Sequence, residues 1–453
     1  MDVSESHIVL QCNLVFAAGF VGYLQGLRFL LVYRRQHTCT APARPNVQEL
    51  ETGMSRSNGR LGAGDRISAL PDELIHNVMS CLTAQEAVQT CVLARWWQNV
   101  WASARCLNLD SARFTGLQRF KKFVDSLIVH RGCTPLDAFW VRTAFDNSGL
   151  DNFTDYAEIH PWVCHALRSH AQVLGIVHDG DMLTIRGTFA SSHLKRLHLC
   201  YFYIDNRTVE MLFCGCPVLE ELELINCFVT ATTFSSTTLK RSTVTFPDRE
   251  LYNEDFQDLS IDMPKLVSLY IKDFRDRAPH LVDVSSLQSA SIYLNCFAFE
   301  GSDSDTNVLR ALSNATSLES LSLTLHDEAI HVLARDLTRC KPFRNLKALS
   351  LGEWCLNAGG NTLLYWIRCS PNIEKLILHL SRPGSYYYAH PEEYTAAEVD
   401  PACNGTETTP RCINLKKIEI HCPRGDKRVH FIVKILLANI TSLPEINIKQ
   451  YNI

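Results

Sequence analysis

CPVLEELELINC, residues 216–227, contains the pattern that decides the fold. Leucine occupies positions 219, 222 and 224, and an Asn-Cys pair follows at 226 and 227. Successive side chains of a strand point to opposite faces, so this alternation is typical of a strand with one buried face. We therefore expect Leu222 and Leu224 to point into a core, and Glu221 and Glu223 to point away from it.

The same three-position pattern, L-x-x-L-x-L with Leu or Ile, recurs along the chain. Clear copies begin at Leu194, Leu219, Leu266, Leu318, Leu346, Ile373 and Leu415, and degenerate copies begin at Leu239 and Leu287. Most of the spacings lie in or near the roughly 20–29 residues that are typical of leucine-rich repeats. The sequence therefore predicts an α/β fold, a leucine-rich repeat solenoid whose units bury their apolar edges only by stacking on their neighbours.

The array is predicted to span residues 111–410, with an irregular beginning. Apolar spacing predicts helices over 117–128 and 162–167, and strands over 136–141 and 173–177. Residues 411–453 predict a closing unit with a strand, a helix over 429–439 and a last strand at 443–448.

Residues 65–110 predict a different unit, made of three short helices. Pro71 suits the first position of a helix, and Thr83 with Glu86 three residues later is a capping box. Trp97 and Trp101 lie four residues apart on the third helix. Since about 45 residues are too few to enclose a core, we expect this apolar surface to be covered by the repeats or by another protein.

The run from Ile67 to Trp101 resembles a plant F-box, with its LPDEL start, its TCVLAR stretch and its closing Trp-x-x-x-Trp. This resemblance implies a three-helix F-box that docks onto the Skp-type linker protein of a cullin–RING (SCF) ubiquitin ligase. In one departure, Trp96 follows Arg95 where the family commonly has a second basic residue. The residues that the resemblance places against the linker are Leu70, Pro71, Leu74, Ile75, Val78, Met79, Leu82, Val92, Leu93, Trp97 and Trp101.

The closing unit, residues 411–453, resembles the FBD region found at the end of many plant F-box/LRR proteins. Together the resemblances cover nearly all of the chain from residue 66 onward. They imply a non-catalytic substrate adaptor in which the F-box holds the ligase, the repeats hold a target protein, and other subunits transfer ubiquitin. We expect the adaptor to be a monomer within that complex.

The amino-acid composition and the missing motifs disfavour several classes of protein function. Apolar residues make up 46% and charged residues 20%, which is globular, and a net charge of −4 disfavours a nucleic-acid partner. The 18 cysteines include no CxxC pair, which indicates a reducing compartment, so we expect the cytoplasm, the nucleus or both. Motifs of nucleotide-binding sites, zinc proteases and serine hydrolases are missing from the sequence, so we expect no enzyme activity, metal or cofactor.

The first 64 residues are predicted to be an extension and linker, with an apolar stretch over 8–33. Polar residues and glycines within that stretch disfavour a membrane span, and Asp2 and Glu5 disfavour a secretory signal. Two alternatives stay open: a leucine-rich repeat protein that binds partners outside a ubiquitin ligase, and a receptor that is membrane-anchored through residues 8–33.

A target would contact the residues between the inward leucines, and an insertion over 381–410 adds a tyrosine-rich loop. Charges of both signs alternate along this face, which suits a protein partner of unknown identity. The candidate contact residues are Arg196, His198, Glu221, Glu223, Ser268, Tyr270, Lys375, Lys417, Glu419, Tyr386, Tyr387 and Tyr388.

Overall fold

The computed structural model describes Ile75 and residues 78–92, 100–143, 155–178, 180–247, 259–274, 279–294, 307–325, 340–356, 360–380, 414–440 and 443–451. The chain divides into two units, Met1–Leu82 and Thr83–Ile453. The apolar stretch over 8–33 and the insertion over 381–410 both lie outside the described residues.

The described strands belong to one large parallel sheet and two small ones. In chain order they are β1 (Cys106–Asp110), β2 (Ala138–Thr143), β3 (Val173–His178), β4 (Leu183–Thr184), β5 (Arg196–Cys200), β6 (Phe202–Ile204), β7 (Glu221–Ile225), β8 (Phe228–Val229), β9 (Thr233–Ser235), β10 (Arg241–Thr245), β11 (Ser260–Asp262), β12 (Ser268–Phe274), β13 (His280–Asp283), β14 (Ser289–Leu294), β15 (Ser320–Leu325), β16 (Ala348–Gly352), β17 (Lys375–His379), β18 (Lys417–Pro423) and β19 (Glu445–Tyr451). The large sheet has 13 strands in the order β1-β2-β3-β5-β7-β10-β12-β14-β15-β16-β17-β18-β19.

Each predicted repeat supplies one strand of the large sheet, which confirms the α/β repeat fold. Leu222 of the deciding stretch pairs in register with Leu197, and Leu224 pairs with Leu199. The degenerate repeats at Leu239 and Leu287 also form strands, and both leucines are fully buried. Inward positions therefore stack from strand to strand, and their apolar side chains form one continuous core.

Helices connect the strands and bury their apolar sides in the same core. They are α1 (Ala84–Gln89), α2 (Leu117–Arg131), α3 (His160–Arg168), α4 (Asn206–Gly215), α5 (Val308–Asn314), α6 (Asn361–Cys369) and α7 (Arg428–Asn439). The predicted helices at 117–128, 162–167 and 429–439 all lie within these bounds.

The strands of the two small sheets lie in the connecting segments that follow strands of the large sheet. One has the order β4-β6-β8 and the other the order β13-β11-β9. Beside the first of them, Asn226 turns the chain with a positive φ of 50°. Cys227 then enters the core, where its Sγ lies 3.5 Å from the carbonyl oxygen of Leu199. The Asn-Cys pair therefore ends one strand and begins the next turn of the solenoid.

The predicted three-helix segment is described only in part, and the three-helix F-box is not confirmed. The capping box is present, because the Glu86 N–H donates to the Thr83 hydroxyl and the Thr83 N–H donates to the Glu86 carboxylate. The α1 helix that begins there is short and continues into a 3₁₀ turn over Thr90–Val92. Trp101 lies in a second 3₁₀ turn, half-buried against the core of the repeats.

Within the part of the chain that the structure describes, we find no helix with the length and hydropathy of a membrane span.

Candidate protein-binding face

The outward side of the large sheet, here called the open face, is built from the side chains that alternate with the buried ones. In β15, for example, Leu321, Leu323 and Leu325 are buried while Ser320, Ser322 and their outward neighbours are partly exposed. In-register pairing aligns the outward positions of neighbouring strands into rows. A partner would therefore meet residues from many repeats side by side, although they lie far apart in the sequence.

The amino-terminal part of the open face contains paired charges. The Glu221 carboxylate accepts from the guanidinium of Arg196 at 3.0 Å and from that of Arg241. One row further, the Nδ1 of His198 lies 2.7 Å from Glu223. Partial burial acts to raise the pKa of Glu223, but the hydrogen bond and charge of His198 outweigh it and hold the pKa below its ordinary value. These charges largely compensate one another.

The central part of the open face contains two tyrosines and a group of short serine side chains. The rings of Tyr270 and Tyr293 lie with centroids 5.7 Å apart. Next to them the outward positions pair serine with serine across three strands, as in Ser291 with Ser322 and Ser322 with Ser350. Short hydroxyl side chains leave room above the backbone and offer both donors and acceptors.

The carboxy-terminal part of the open face contains a cluster of three lysines around one carboxylate, here called the lysine cluster. The Glu419 side chain is only 6% exposed, and Lys417, Lys375 and Lys449 approach it with Nζ–O distances of 2.9, 3.2 and 3.2 Å. Burial acts to raise the pKa of Glu419, but hydrogen bonds from the three ammonium groups outweigh it and hold the pKa far below its ordinary value. Glu419 is thus an ionised support beneath the lysines.

Two histidines lie beside the lysine cluster. The rings of His379 and His421 have centroids 4.7 Å apart. Burial, together with the neighbouring His421, lowers the pKa of His379 to about 4. Burial also lowers the pKa of His421, and the charge of Lys449 lowers it further. Both rings are therefore neutral at neutral pH, and the lysines are the cations at this end of the sheet.

A groove of about 430 Å³ lies at the edge where the strands begin. It is less suited to binding a partner than the open face is. Its charged residues pair with each other, with 2.9 Å between Lys347 and Glu319 and 2.8 Å between Lys416 and Glu374. Asn345 and Asn372 donate to backbone carbonyls of neighbouring repeats, and Asn414 donates to the side chain of Asn372. We therefore assign this groove to the stacking of repeats.

The structure brings the predicted target contacts together in three groups along the open face. Arg196, His198, Glu221 and Glu223 form the amino-terminal group; Ser268 and Tyr270 lie in the central group; Lys375, Lys417 and Glu419 lie in the carboxy-terminal group. Tyr386, Tyr387 and Tyr388 lie outside the described residues. Their role as contacts stays a prediction.

Sequence reasoning missed four side chains of the same face. Arg241 pairs in register with Glu221, the rings of Trp140 and Tyr293 lie next to those of His198 and Tyr270, and Lys449 lies 3.2 Å from Glu419. Trp140 and Tyr293 follow the buried residues Phe139 and Ile292, Arg241 precedes the buried Ser242, and Lys449 follows the inward but half-exposed Ile448. Applying the alternation to these weaker repeats would have found all four.

Two cysteines near the repeat turns have buried thiols. Cys216 and Cys227 are buried, and burial raises their pKa to about 11 and about 12. They are protonated apolar side chains at neutral pH. Among the described residues, no group of three or more His, Cys, Asp or Glu side chains has a metal-binding arrangement.

The predicted linker-facing residues have mixed environments where the structure describes them. Ile75 and Met79 are each 1% exposed, whereas Val78 is 47% exposed and Leu82 is partly exposed. Leu70, Pro71, Leu74, Leu93 and Trp97 lie outside the described residues, as does the side chain of Val92. The docking surface stays a prediction.

Comparison with known proteins gives the same architecture along most of the chain. An F-box/FBD/LRR-repeat protein of Arabidopsis thaliana is 27% identical over 440 residues, covering 85% of this chain and 89% of the relative. The chain is similar to plant F-box/LRR-repeat proteins. A putative F-box/LRR-repeat protein of Arabidopsis thaliana is 26% identical, covering 70% of this chain and 69% of its own.

A third F-box relative comes from rice. The meiotic F-box protein MOF of Oryza sativa subsp. japonica is 25% identical over 402 residues, covering 80% of this chain and 81% of its own. No protein-family model matches the chain. The similarity to F-box/LRR-repeat proteins thus rests on relatives that match over 70–85% of the chain and on the parallel repeat sheet.

Proposed function

We propose that this chain is a substrate-recognition adaptor of an SCF-type cullin–RING ubiquitin ligase. The observation that supports this most is the similarity to F-box/LRR and F-box/FBD/LRR proteins over 70–85% of the chain. The resemblance of residues 67–101 to an F-box implies that the Skp-type linker protein is a partner. The open face supplies a surface for a target protein.

Such an adaptor works by proximity and performs no chemistry itself. A stacked repeat sheet holds its side chains in fixed rows, so a bound target is kept at one place relative to the ligase. Holding the target beside the charged conjugating enzyme raises the effective concentration of its lysines for ubiquitin transfer. We place this activity in the cytoplasm, the nucleus or both, as the free thiols favour.

The linker interaction is tested by capture of a purified plant Skp-type protein on the full chain. Val78, 47% exposed on the predicted docking helix, is changed to Asp, and Val129, 77% exposed on α2, receives the same change as a matched control. A charge in a desolvated apolar contact costs several kcal/mol, so we expect Val78→Asp to weaken capture at least about tenfold. Equal capture by both variants, with unfolding unchanged, would contradict the proposed docking surface.

A second candidate is a repeat protein that binds its partners without the linker. The burial of Ile75 and Met79 favours it, as does Trp96 where the family commonly has a basic residue. Under this function neither the native chain nor Trp96→Arg captures the linker. Capture by the native chain decides for the adaptor.

A further inference from the structure

The lysine cluster has more hydrogen-bond donors than its internal carboxylate uses. Each ammonium carries three donors, and Lys375, Lys417 and Lys449 each direct one contact to Glu419. Their side chains remain 32%, 38% and 60% exposed, whereas the Glu419 side chain is 6% exposed. The remaining donors are therefore available from the solvent side, above a carboxylate that holds the three amines together.

The charge of this cluster is only partly compensated. Within the described rows, Glu445 is the second carboxylate beside it, and the Asn447 amide donates to Glu445 at 2.8 Å. Three lysines therefore face two carboxylates, one of them buried. In the amino-terminal group, by contrast, Glu221 lies between its two arginines and Glu223 is bonded to His198.

Neighbouring strands give a ligand room to reach the lysines. Lys375 pairs in register with Ala348, and Ile377 pairs with Ser350. Because these neighbours are short, an extended peptide can lie across the serines between the tyrosines of β12 and β14 and the lysine cluster. At roughly 4.8 Å per strand, the five steps from β12 to β18 span about 24 Å, or about seven extended residues.

We propose that the lysine cluster binds an acidic, carboxylate-rich peptide segment of the target protein. This inference rests on the proposed function for its target, and it specifies the chemistry that the open face recognises. Acidic side chains of the segment accept hydrogen bonds from the ammonium N–H groups that do not contact Glu419. Residues about seven positions away on the same segment lie over Tyr270 and Tyr293.

The test uses the full chain and a fluorescein-labelled ten-residue peptide with a tyrosine at one end and four glutamates at the other. Lys375→Gln with Lys449→Gln removes two outer ammonium groups and keeps Lys417 to neutralise Glu419. We expect this double variant to weaken binding roughly 5- to 20-fold in fluorescence anisotropy at low salt. Binding to the native chain should also fall as salt is raised.

The matched control removes two paired lysines from the edge where the strands begin. Lys240 and Lys347 lie 3.0 and 2.9 Å from Glu220 and Glu319, and the variant Lys240→Gln with Lys347→Gln has the same net charge as the cluster variant. We expect it to stay within about twofold of the native chain. Equal weakening by both variants, or equal binding of a peptide with four glutamines, would overturn the proposal.

A third variant changes the cluster in the opposite direction. Glu419→Gln keeps all three lysines and removes the internal negative charge, so we expect the acidic peptide to bind about 2- to 5-fold more tightly. Unchanged or weaker binding, in a variant whose unfolding is unchanged, counts against the proposal. Linker capture is measured on the same proteins. A native chain that captures the linker but does not bind the acidic peptide refutes this inference alone, whereas a native chain that binds the peptide but does not capture the linker refutes the adaptor function alone.

Discussion

The ring of Trp140 lies across Gly175 on the neighbouring strand, so closely that a Cβ on Gly175 would lie 2.0 Å from Trp140 Cε3. The two residues are in-register partners on β2 and β3. The missing side chain lets the indole extend over β3 toward His198, whose ring centroid lies 5.4 Å from that of Trp140. Gly175 is therefore required for the position of an aromatic contact on the open face.

Replacing Gly175 by alanine should displace that indole. Since the added methyl meets a ring held on the sheet, we expect Gly175→Ala to lower the free energy of unfolding by about 1–3 kcal/mol, as overpacking does. Chemical denaturation measures the loss. The control is Gly175→Ala in a Trp140→Ala background, where we expect most of the cost to vanish. An undiminished cost there would show that the strain comes from the backbone.

The alternation along β16 predicts opposite effects for neighbouring residues. Leu351 is fully buried, so Leu351→Ala should cost about 2–5 kcal/mol through the lost apolar contacts and the cavity left behind. Ser350, its partly exposed neighbour on the open face, is the matched position, and Ser350→Ala should stay within about 0.5 kcal/mol. Thermal or denaturant unfolding compares the two. Similar losses would mean that the inward and outward rows are assigned wrongly.

Most of the fold follows from one periodic signal. Leu222 and Leu224 predict their own burial, and the repeat spacing predicts the parallel stacking that the register confirms. Even the degenerate copy at Leu287 forms a strand, because Ala290 and Ile292 occupy its inward positions. Core positions are predictable since their chemistry is repeated in every unit.

The candidate site was less predictable, because it depends on which repeats lie side by side. Lys449 belongs to a strand that begins at Glu445, yet it bonds Glu419, 30 residues earlier. Sequence alone also placed Glu419 among the target contacts, whereas three lysines cover its carboxylate. The residue types at outward positions differ from repeat to repeat. Only the register of the strands shows which of these residues contact each other.

Asn226 lies in the turn that follows β7, and substitutions there test whether this turn needs a left-handed backbone conformation. Its φ of 50° is in the left-handed region, and its N–H donates to the Thr245 hydroxyl at 2.8 Å. Glycine tolerates this φ, so Asn226→Gly should change the free energy of unfolding by less than about 1 kcal/mol, whereas Asn226→Val should cost about 1–2 kcal/mol. Asn108→Val, the same change within β1, is the control, since a β-branched residue suits a strand. A cost as large at position 108 would exclude backbone conformation as the cause.

The last prediction concerns a buried histidine and the stability of the fold in acid. His178 is 1% exposed, and its Nδ1 lies 2.7 Å from the Thr143 hydroxyl. Burial lowers the pKa of His178 from 6.5 to about 4, although Asp181 acts in the opposite direction. The unfolded chain therefore takes up a proton below about pH 6.5, while the folded chain resists it until about pH 4.

Stability should accordingly be fully present above pH 6.5 and fall as the pH drops toward 4. For this one residue we expect a loss of about 2–3 kcal/mol between pH 7 and 4.5, measured by denaturant unfolding at each pH. His178→Asn should remove that part of the pH dependence, whatever it costs at neutral pH. If His178→Asn keeps the native slope from pH 6.5 to 4.5, the acid sensitivity arises elsewhere, with His379 the next residue to change because its pKa is also about 4.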